Sequence, residues 1–179
     1  MRIAVSGSHR VGKSTLIELL AERLPACELV AEPYLLLEEE GYEHSDPPSL
    51  EDFEAQLERS LAVLEEGERD VLFDRCPVDP VAYLLTHEDS DSFDVDDWLE
   101  RIHAATQTLD LIVFVPIEDH DRIAVASHED RAYRRRVHRR LQRLLVDGAL
   151  GLETEVLVVE GSPRARVDQV LAHIAATKD

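Results

Sequence analysis

The chain has 179 residues, 44% of them hydrophobic, enough for one well-buried core and too few for two comfortable domains. Its 38 acidic residues against 19 basic ones leave a net charge of -19, which argues against a nucleic-acid groove and against anionic membranes, since both need positive surface. Cys27 and Cys76 are too few for a disulfide framework and have no metal-ligand spacing, Met1 leads straight into an apolar stretch with no room for a signal peptide, and the longest apolar run is seven residues from Leu111, so a cytoplasmic home is expected.

Ile3, Ala4 and Val5 read as a short buried strand, and Leu16, Ile17, Leu19 and Leu20 as the apolar side of a helix that should stop near Leu24 and Pro25. The turn between them runs Gly7, Ser8, His9, Arg10, Val11, Gly12, Lys13, Ser14 and Thr15, which matches the phosphate-binding pattern G-x-x-x-x-G-K-S/T in its strand-then-helix context. The glycines let the backbone turn so that consecutive N–H groups point at a phosphate. The helix adds the positive end of its dipole. Lys13, one of only two lysines in the chain, would reach the outer phosphates, and Ser14 would offer its hydroxyl to Mg2+.

"CELVAE" reads as a second strand ending at Glu32 and closed by Pro33. A short helix and a loop around Gly41 to Pro48 follow, and Ser49 with Asp52 resembles the start of a longer helix whose stripe is Phe53, Leu57, Leu61 and Leu64. "DVLFD" at 70–74 is a third strand, followed by the helix "PVAYLLTH" and, past a charged loop, a helix holding Trp98, Leu99 and Ile102. "LDLIVFVPI" is the fourth strand and "EVLVVE" the fifth. Ser162 and Pro163 then cap and open the last helix. Strands alternating with helices imply an α/β fold, a parallel sheet covered on both faces, with its ligand crevice at the carboxyl ends of the strands.

The strand ends are therefore the positions to read for chemistry. Asp74 follows "VLF" as a Walker B carboxylate follows its strand and would hold magnesium with Ser14; the competing role is a helix cap before "RCPVDP". Arg75 would either stabilise charge on a transferred phosphoryl group or pair with Glu32 or Asp79. Glu32 is placed to accept a proton from a substrate hydroxyl, or to be a solvated strand-end carboxylate. From Arg131 to Arg143 there are seven arginines and no acid, with Tyr133, Val137, Leu141 and Leu144 forming a core-facing stripe. Arg131, Arg134 and Arg135 at the leading end would close over phosphates, while the arginines after Arg139 would be structural, paired to neighbouring carboxylates.

"GSHRVGKSTL", the acid after the second strand, "FDRCPVDPVAYL", the arginine-rich segment and "VEGSPRARVDQVL" together resemble the P-loop kinases of small molecules. The resemblance is above all to the AAA-type ATP-binding proteins grouped with the ribosylnicotinamide kinase domain of the NAD-biosynthesis regulator, and more distantly to deoxynucleoside and thymidylate kinases. It implies a P-loop three-layer sandwich with a five-stranded parallel sheet in order 2-3-1-4-5. It also implies ATP with Mg2+ and a lid between the fourth and fifth strands, at about 117–140. Glu32 is similar to a deoxynucleoside kinase's catalytic base, Asp74 and Arg75 to the carboxylate and phosphate-binding arginine of thymidylate kinases, and Gly161, Ser162 and Pro163 to the loop bordering the adenine. Cys76 and Pro77 depart from the family, where a serine often stands nearby.

The expected activity is transfer of the ATP γ-phosphate to a hydroxyl of a small-molecule acceptor, with a nucleoside or nucleoside-like compound the leading guess. The expected catalytic groups are Lys13, Glu32, Asp74, Arg75, Arg131 and Arg135, and the expected state is a monomer or homodimer. The alternative is a regulatory nucleotide-dependent ATPase or switch with no small acceptor. A signalling GTPase is disfavoured because the chain has no N-K-x-D segment, and a mechanical AAA machine because no second lid domain is expected after Asp179. The segment 119–136 is expected to be mobile without nucleotide and ordered by it, because its arginines repel one another until an anion arrives.

Overall fold

The computed structural model describes residues 1–67, 69–118 and 131–177. In chain order these form β1 (Arg2–Ser6), α1 (Lys13–Arg23), β2 (Glu28–Val30), α2 (Pro33–Glu39), α3 (Leu50–Glu65), β3 (Val71–Asp74), α4 (Val78–Leu84), α5 (Leu99–Thr106), β4 (Leu111–Phe114), α6 (Arg131–Leu141), β5 (Val156–Val158) and α7 (Pro163–Ala176). The five strands form one sheet in the order β2-β3-β1-β4-β5. Every pairing is parallel, with Val5 opposite Asp74 on one side and opposite Val113 on the other. The expected strand order is the observed one.

Period-2 alternation sends the strand residues to two apolar layers. Ala4, Phe73, Ile112 and Phe114 pack on one face with Leu57 and Leu61 of α3, Val81 of α4, Ile102 of α5 and Val137 of α6. Ile3, Val5, Leu72 and Val113 pack on the other with Leu16 and Leu20 of α1 and Val167 and Val170 of α7. Both faces of the sheet are thus covered, and the functional groups gather at its carboxyl edge.

The helix starts follow their local chemistry. Ser49 caps α3 by accepting from the Asp52 N–H, and the Asp52 side chain returns the bond to the Ser49 N–H, the reciprocal box the Ser49 and Asp52 spacing suggests. Ser162 caps α7 with Pro163 at the first helical position. Gly12 precedes α1 and carries no capping side chain, so the first N–H groups of α1 are left to a ligand.

Three readings shift in detail. The second strand is only three residues long, Glu32 occupies the N-cap position of α2, and Pro33 opens that helix rather than merely closing a strand. An N-terminal helical position costs Pro33 nothing, because its missing N–H has no intrahelical partner there. Trp98 lies one residue before α5, where it packs against Phe93 and under the Arg101 guanidinium. Residues 119–130 of the expected lid lie outside the described residues. Among the described residues no helix is long and apolar enough to cross a membrane.

Candidate active site

The loop from Gly7 to Gly12 leaves β1 at the centre of the sheet and feeds α1. Gly7 is at φ 154 and a Cβ there would come within 2.6 Å of the Val115 carbonyl oxygen, so only glycine fits. Arg10 and Gly12 also have positive φ, 55 and 91, which tips successive N–H groups toward the loop's concave side. Ser14 and Thr15 are exposed at the first turn of α1, and Lys13 is buried with its Nζ donating to the Ser8 carbonyl at 2.9 Å. Burial, with the Arg75 charge nearby, lowers Lys13 to about 8.

β3 delivers Asp74 and Arg75 beside this loop. Asp74 Oδ1 is buried without a hydrogen-bond partner. Burial raises its carboxyl above the ordinary range, with Lys13 and Arg75 offsetting part of the rise. The capping alternative for Asp74 does not hold: α4 begins at Val78, and the Cys76 N–H donates to Asp79 instead. Arg75, at φ 81, donates through Nε to Glu32 Oε2 at 2.6 Å and through one terminal nitrogen to Asp79 Oδ1 and the Gly7 carbonyl, each at 3.3 Å. Both pairings allowed by the sequence are therefore present at once. Burial works to raise Glu32, but the charge and hydrogen bond of Arg75, with Lys13, outweigh it and hold the carboxyl low.

Several residues that organise the site carry no motif of their own. Asp79 is fully buried and accepts from the Gly7 N–H at 3.1 Å, tying the phosphate loop to α4 and Arg75. Its only sequence signal is its place four residues after Arg75, in the first turn of α4. The Tyr83 hydroxyl accepts from the His9 N–H at 3.3 Å and meets the His9 ring. Arg166 of α7 donates to the Val11 carbonyl at 2.8 Å and pairs with Glu118 at 2.9 Å, and Glu118 also accepts from the Gly161 N–H at 2.7 Å. Burial drives the Cys76 thiol well up, which keeps it unreactive.

The arginine helix docks on the loop from the other side. Arg134 is buried and donates to the carbonyls of His9 and Arg10 at 2.9 and 2.8 Å, so it grips the loop by its backbone. Arg131 and Arg135 are exposed. Carboxylate pairing of the later arginines is not found: among the described residues Arg139, Arg140 and Arg143 have no acidic partner.

Two cavities open on either side of this loop. The smaller, about 260 Å³, is lined by Val11, Gly12, Thr15, Gly161, Pro163 and Arg166 among others. The larger, about 750 Å³, is walled by Tyr34, Phe53, Gln56, Tyr83 and Tyr133 and carries Glu32 and Arg75. Arg10 lines both. Phe53 and Tyr83 stack at 5.1 Å between ring centroids. The aromatic walls were not legible in the sequence, because Phe53 and Tyr133 lie in helical stripes that equally suit the core.

Solved structures share this fold. Deoxyadenosine kinase from M. mycoides aligns with TM-score 0.68 at 14% identity over 98% of this chain and 100% of that one. Thymidylate kinase from Candida albicans aligns with TM-score 0.64 at 17% identity, over 98% and 91%. The NadR protein in complex with NR aligns with TM-score 0.63 at 17% identity, over 95% of this chain and 50% of that one. At such identities the likeness establishes the P-loop fold. No curated protein sequence matches the chain. A family model described as AAA domain matches residues 2–166, and the chain belongs to that family.

Proposed function

We propose that the protein transfers the γ-phosphate of ATP to a hydroxyl of a small molecule, a nucleoside or nucleoside-like compound. The observation that carries this reading is the pair of cavities meeting at Arg10, one on each side of the phosphate loop. A phosphoryl transferase needs two sites that meet at the transferred group, whereas a switch that only hydrolyses nucleotide has no use for the second. The smaller cavity, bordered by Gly161 and Pro163, suits the nucleoside end of ATP, with Ser162 holding the loop as the α7 cap. The larger, with stacked rings and Gln56, suits a flat polar ring.

In this reading Lys13 leaves the Ser8 carbonyl for the outer phosphates, and the loop N–H groups hold the others. Glu32, kept ionised by Arg75, accepts the acceptor hydroxyl's proton, and Arg75 orients it while offering charge to the transferred group. Arg131 and Arg135 stand exposed at the start of α6, where they would cover the phosphates. The donor set fits Mg2+: an unpartnered buried carboxylate oxygen on Asp74 and an exposed hydroxyl on Ser14, both hard oxygen ligands. When bound, the ion would neutralise phosphate charge. The similarity to the deoxyadenosine kinase and to the NadR protein in complex with NR supports a nucleoside-like acceptor.

The test is a panel of nucleosides and related hydroxyl compounds, each assayed for phosphorylated product and for ADP. ADP formed only when one acceptor is present, in equal amount with its phosphate ester, supports the transferase. Equal ADP formation with no acceptor supports the regulatory ATPase instead.

A further inference from the structure

The outer face of α6 presents a feature that phosphoryl transfer does not use. Arg136, Arg139, Arg140 and Arg143 stand at positions i, i+3, i+4 and i+7, and with Leu85 and Thr86 after α4 they line a groove of about 330 Å³. Helix α6 runs on as a π-helix over Gln142–Val146, where the Asp147 N–H donates to the Gln142 carbonyl five residues back at 3.1 Å. Arg143 stands in that widened turn, a backbone irregularity that recurs at functional sites.

The charge around this groove is anomalous. The chain holds 38 acidic residues to 19 basic ones, and Arg59, Arg75, Arg101 and Arg166 each pair with a carboxylate. Among the described residues the four groove arginines pair with none. Arg140 is fixed by its bond to the Leu85 carbonyl at 3.0 Å, and the Arg136 guanidinium lies 5.5 Å from the Tyr133 ring centroid. Like charges so spaced on one helix repel, and a bound anion relieves that repulsion.

The dimensions select the anion. Seven residues of helix span about 10 Å, the reach of two or three linked phosphates, and guanidinium forks match phosphate oxygens two at a time. A nucleic acid would meet the field of a molecule with net charge -19 beyond this one short face. We propose that the groove is a second anion site, outside the phosphate loop, for a small molecule bearing a di- or triphosphate. It stands independently of the kinase reading. Arg136 also lines the larger cleft, so an occupant would touch that cleft's rim.

The test is calorimetric titration of the full chain with inorganic triphosphate, without magnesium, at physiological ionic strength, where loose ionic association is screened. The parent should bind two equivalents. The double variant Arg139→Ala with Arg143→Ala should lose one of them, its affinity falling at least tenfold, and should keep the other. Lys13→Ala should show the converse. Repeating the Lys13→Ala titration with a nucleoside triphosphate separates the sources: tighter binding than inorganic triphosphate assigns a nucleotide, and equal binding assigns the bare phosphate chain. The proposal is overturned if the parent binds only an equivalent that Lys13→Ala abolishes and the double variant keeps, if the double variant binds all that the parent does, or if sulfate at equal ionic strength displaces the equivalent assigned to the groove. It is also overturned if the double variant converts a dimer to a monomer in sedimentation, since the groove would then be a subunit contact.

Discussion

Lys13 sits in the phosphate loop as a buried cation whose charge is already partly resisted, at about 8 against an ordinary 10.5. A phosphate binds the charged form, so Lys13 should not limit affinity for a non-hydrolysable ATP analogue below pH 8. Above it, affinity should fall by up to about tenfold per pH unit until the bound-state value is reached. Lys13→Ala should remove the phosphate-loop equivalent and the pH dependence that Lys13 confers while the melting curve of the free protein is kept, as paired titration and calorimetry would show. The two carboxylates should separate by role. Glu32→Gln is expected to leave analogue binding nearly intact and lower turnover by roughly a hundredfold, the usual cost of losing a general base. Asp74→Asn is expected to weaken the magnesium dependence and turnover together, because its free Oδ1 points to metal holding. Parental turnover in Glu32→Gln would reassign the base. Lys13, Glu32, Asp74 and Arg75 were legible in the sequence as candidates because each follows a strand or sits in a short motif. Asp79 was legible only as a partner of Arg75 and not as the acceptor that ties down the Gly7 N–H, and Tyr83 and Arg166 stayed hidden, because these contacts are to backbone atoms of the loop, which impose no pattern on their own neighbours.

At the level of elements, the strands were legible from their unbroken apolar runs and the sheet order from the resemblance those strand-end motifs carried. What the runs did not reveal was strand length. "LDLIVFVPI" contributes only Leu111–Phe114, since pairing ends where β1 turns into the phosphate loop. Val115 beyond it is nonetheless fully buried, so hydropathy alone cannot mark the boundary. The start of α3 was legible, and the structure shows why it bears on the site. Asp52 is buried and accepts from the N–H groups of Ser45 and Ser49, the Ser49 hydroxyl and the Tyr42 hydroxyl, so one carboxylate fastens the whole loop ahead of α3. Pro47 and Pro48 of that loop wall the larger cleft. Asp52→Ala should destabilise the protein by about 3 kcal/mol, combining the lost return bond of the capping box with stranded donors. Denaturant midpoints would measure this. The same variant should raise the acceptor KM several-fold with kcat largely kept, and an unchanged KM would show that the loop does not shape the cleft.

Across the whole molecule the dominant fact is a net charge of -19. Two electrostatic terms oppose each other as salt is added. Screening relieves the mutual repulsion of the acidic surface, and it also weakens attractive pairs. The attractive pairs that salt reaches are the exposed ones, such as Arg101 with Glu58 and Arg59 with Glu40, and exposed pairs are each worth only about 0–1 kcal/mol. The pairs that hold the site, Arg75 with Glu32 and Arg166 with Glu118, are far less accessible and are screened less. Repulsion should therefore win. Raising sodium chloride from about 0.01 M to 1 M, which shrinks the screening length from about 30 to 3 Å, should raise the Tm of the free protein by roughly 5 °C, corresponding to about 1–2 kcal/mol. Scanning calorimetry at fixed pH across that range checks it, and a flat or falling Tm would mean that the exposed ion pairs, not the surplus of acid, govern the stability of the surface.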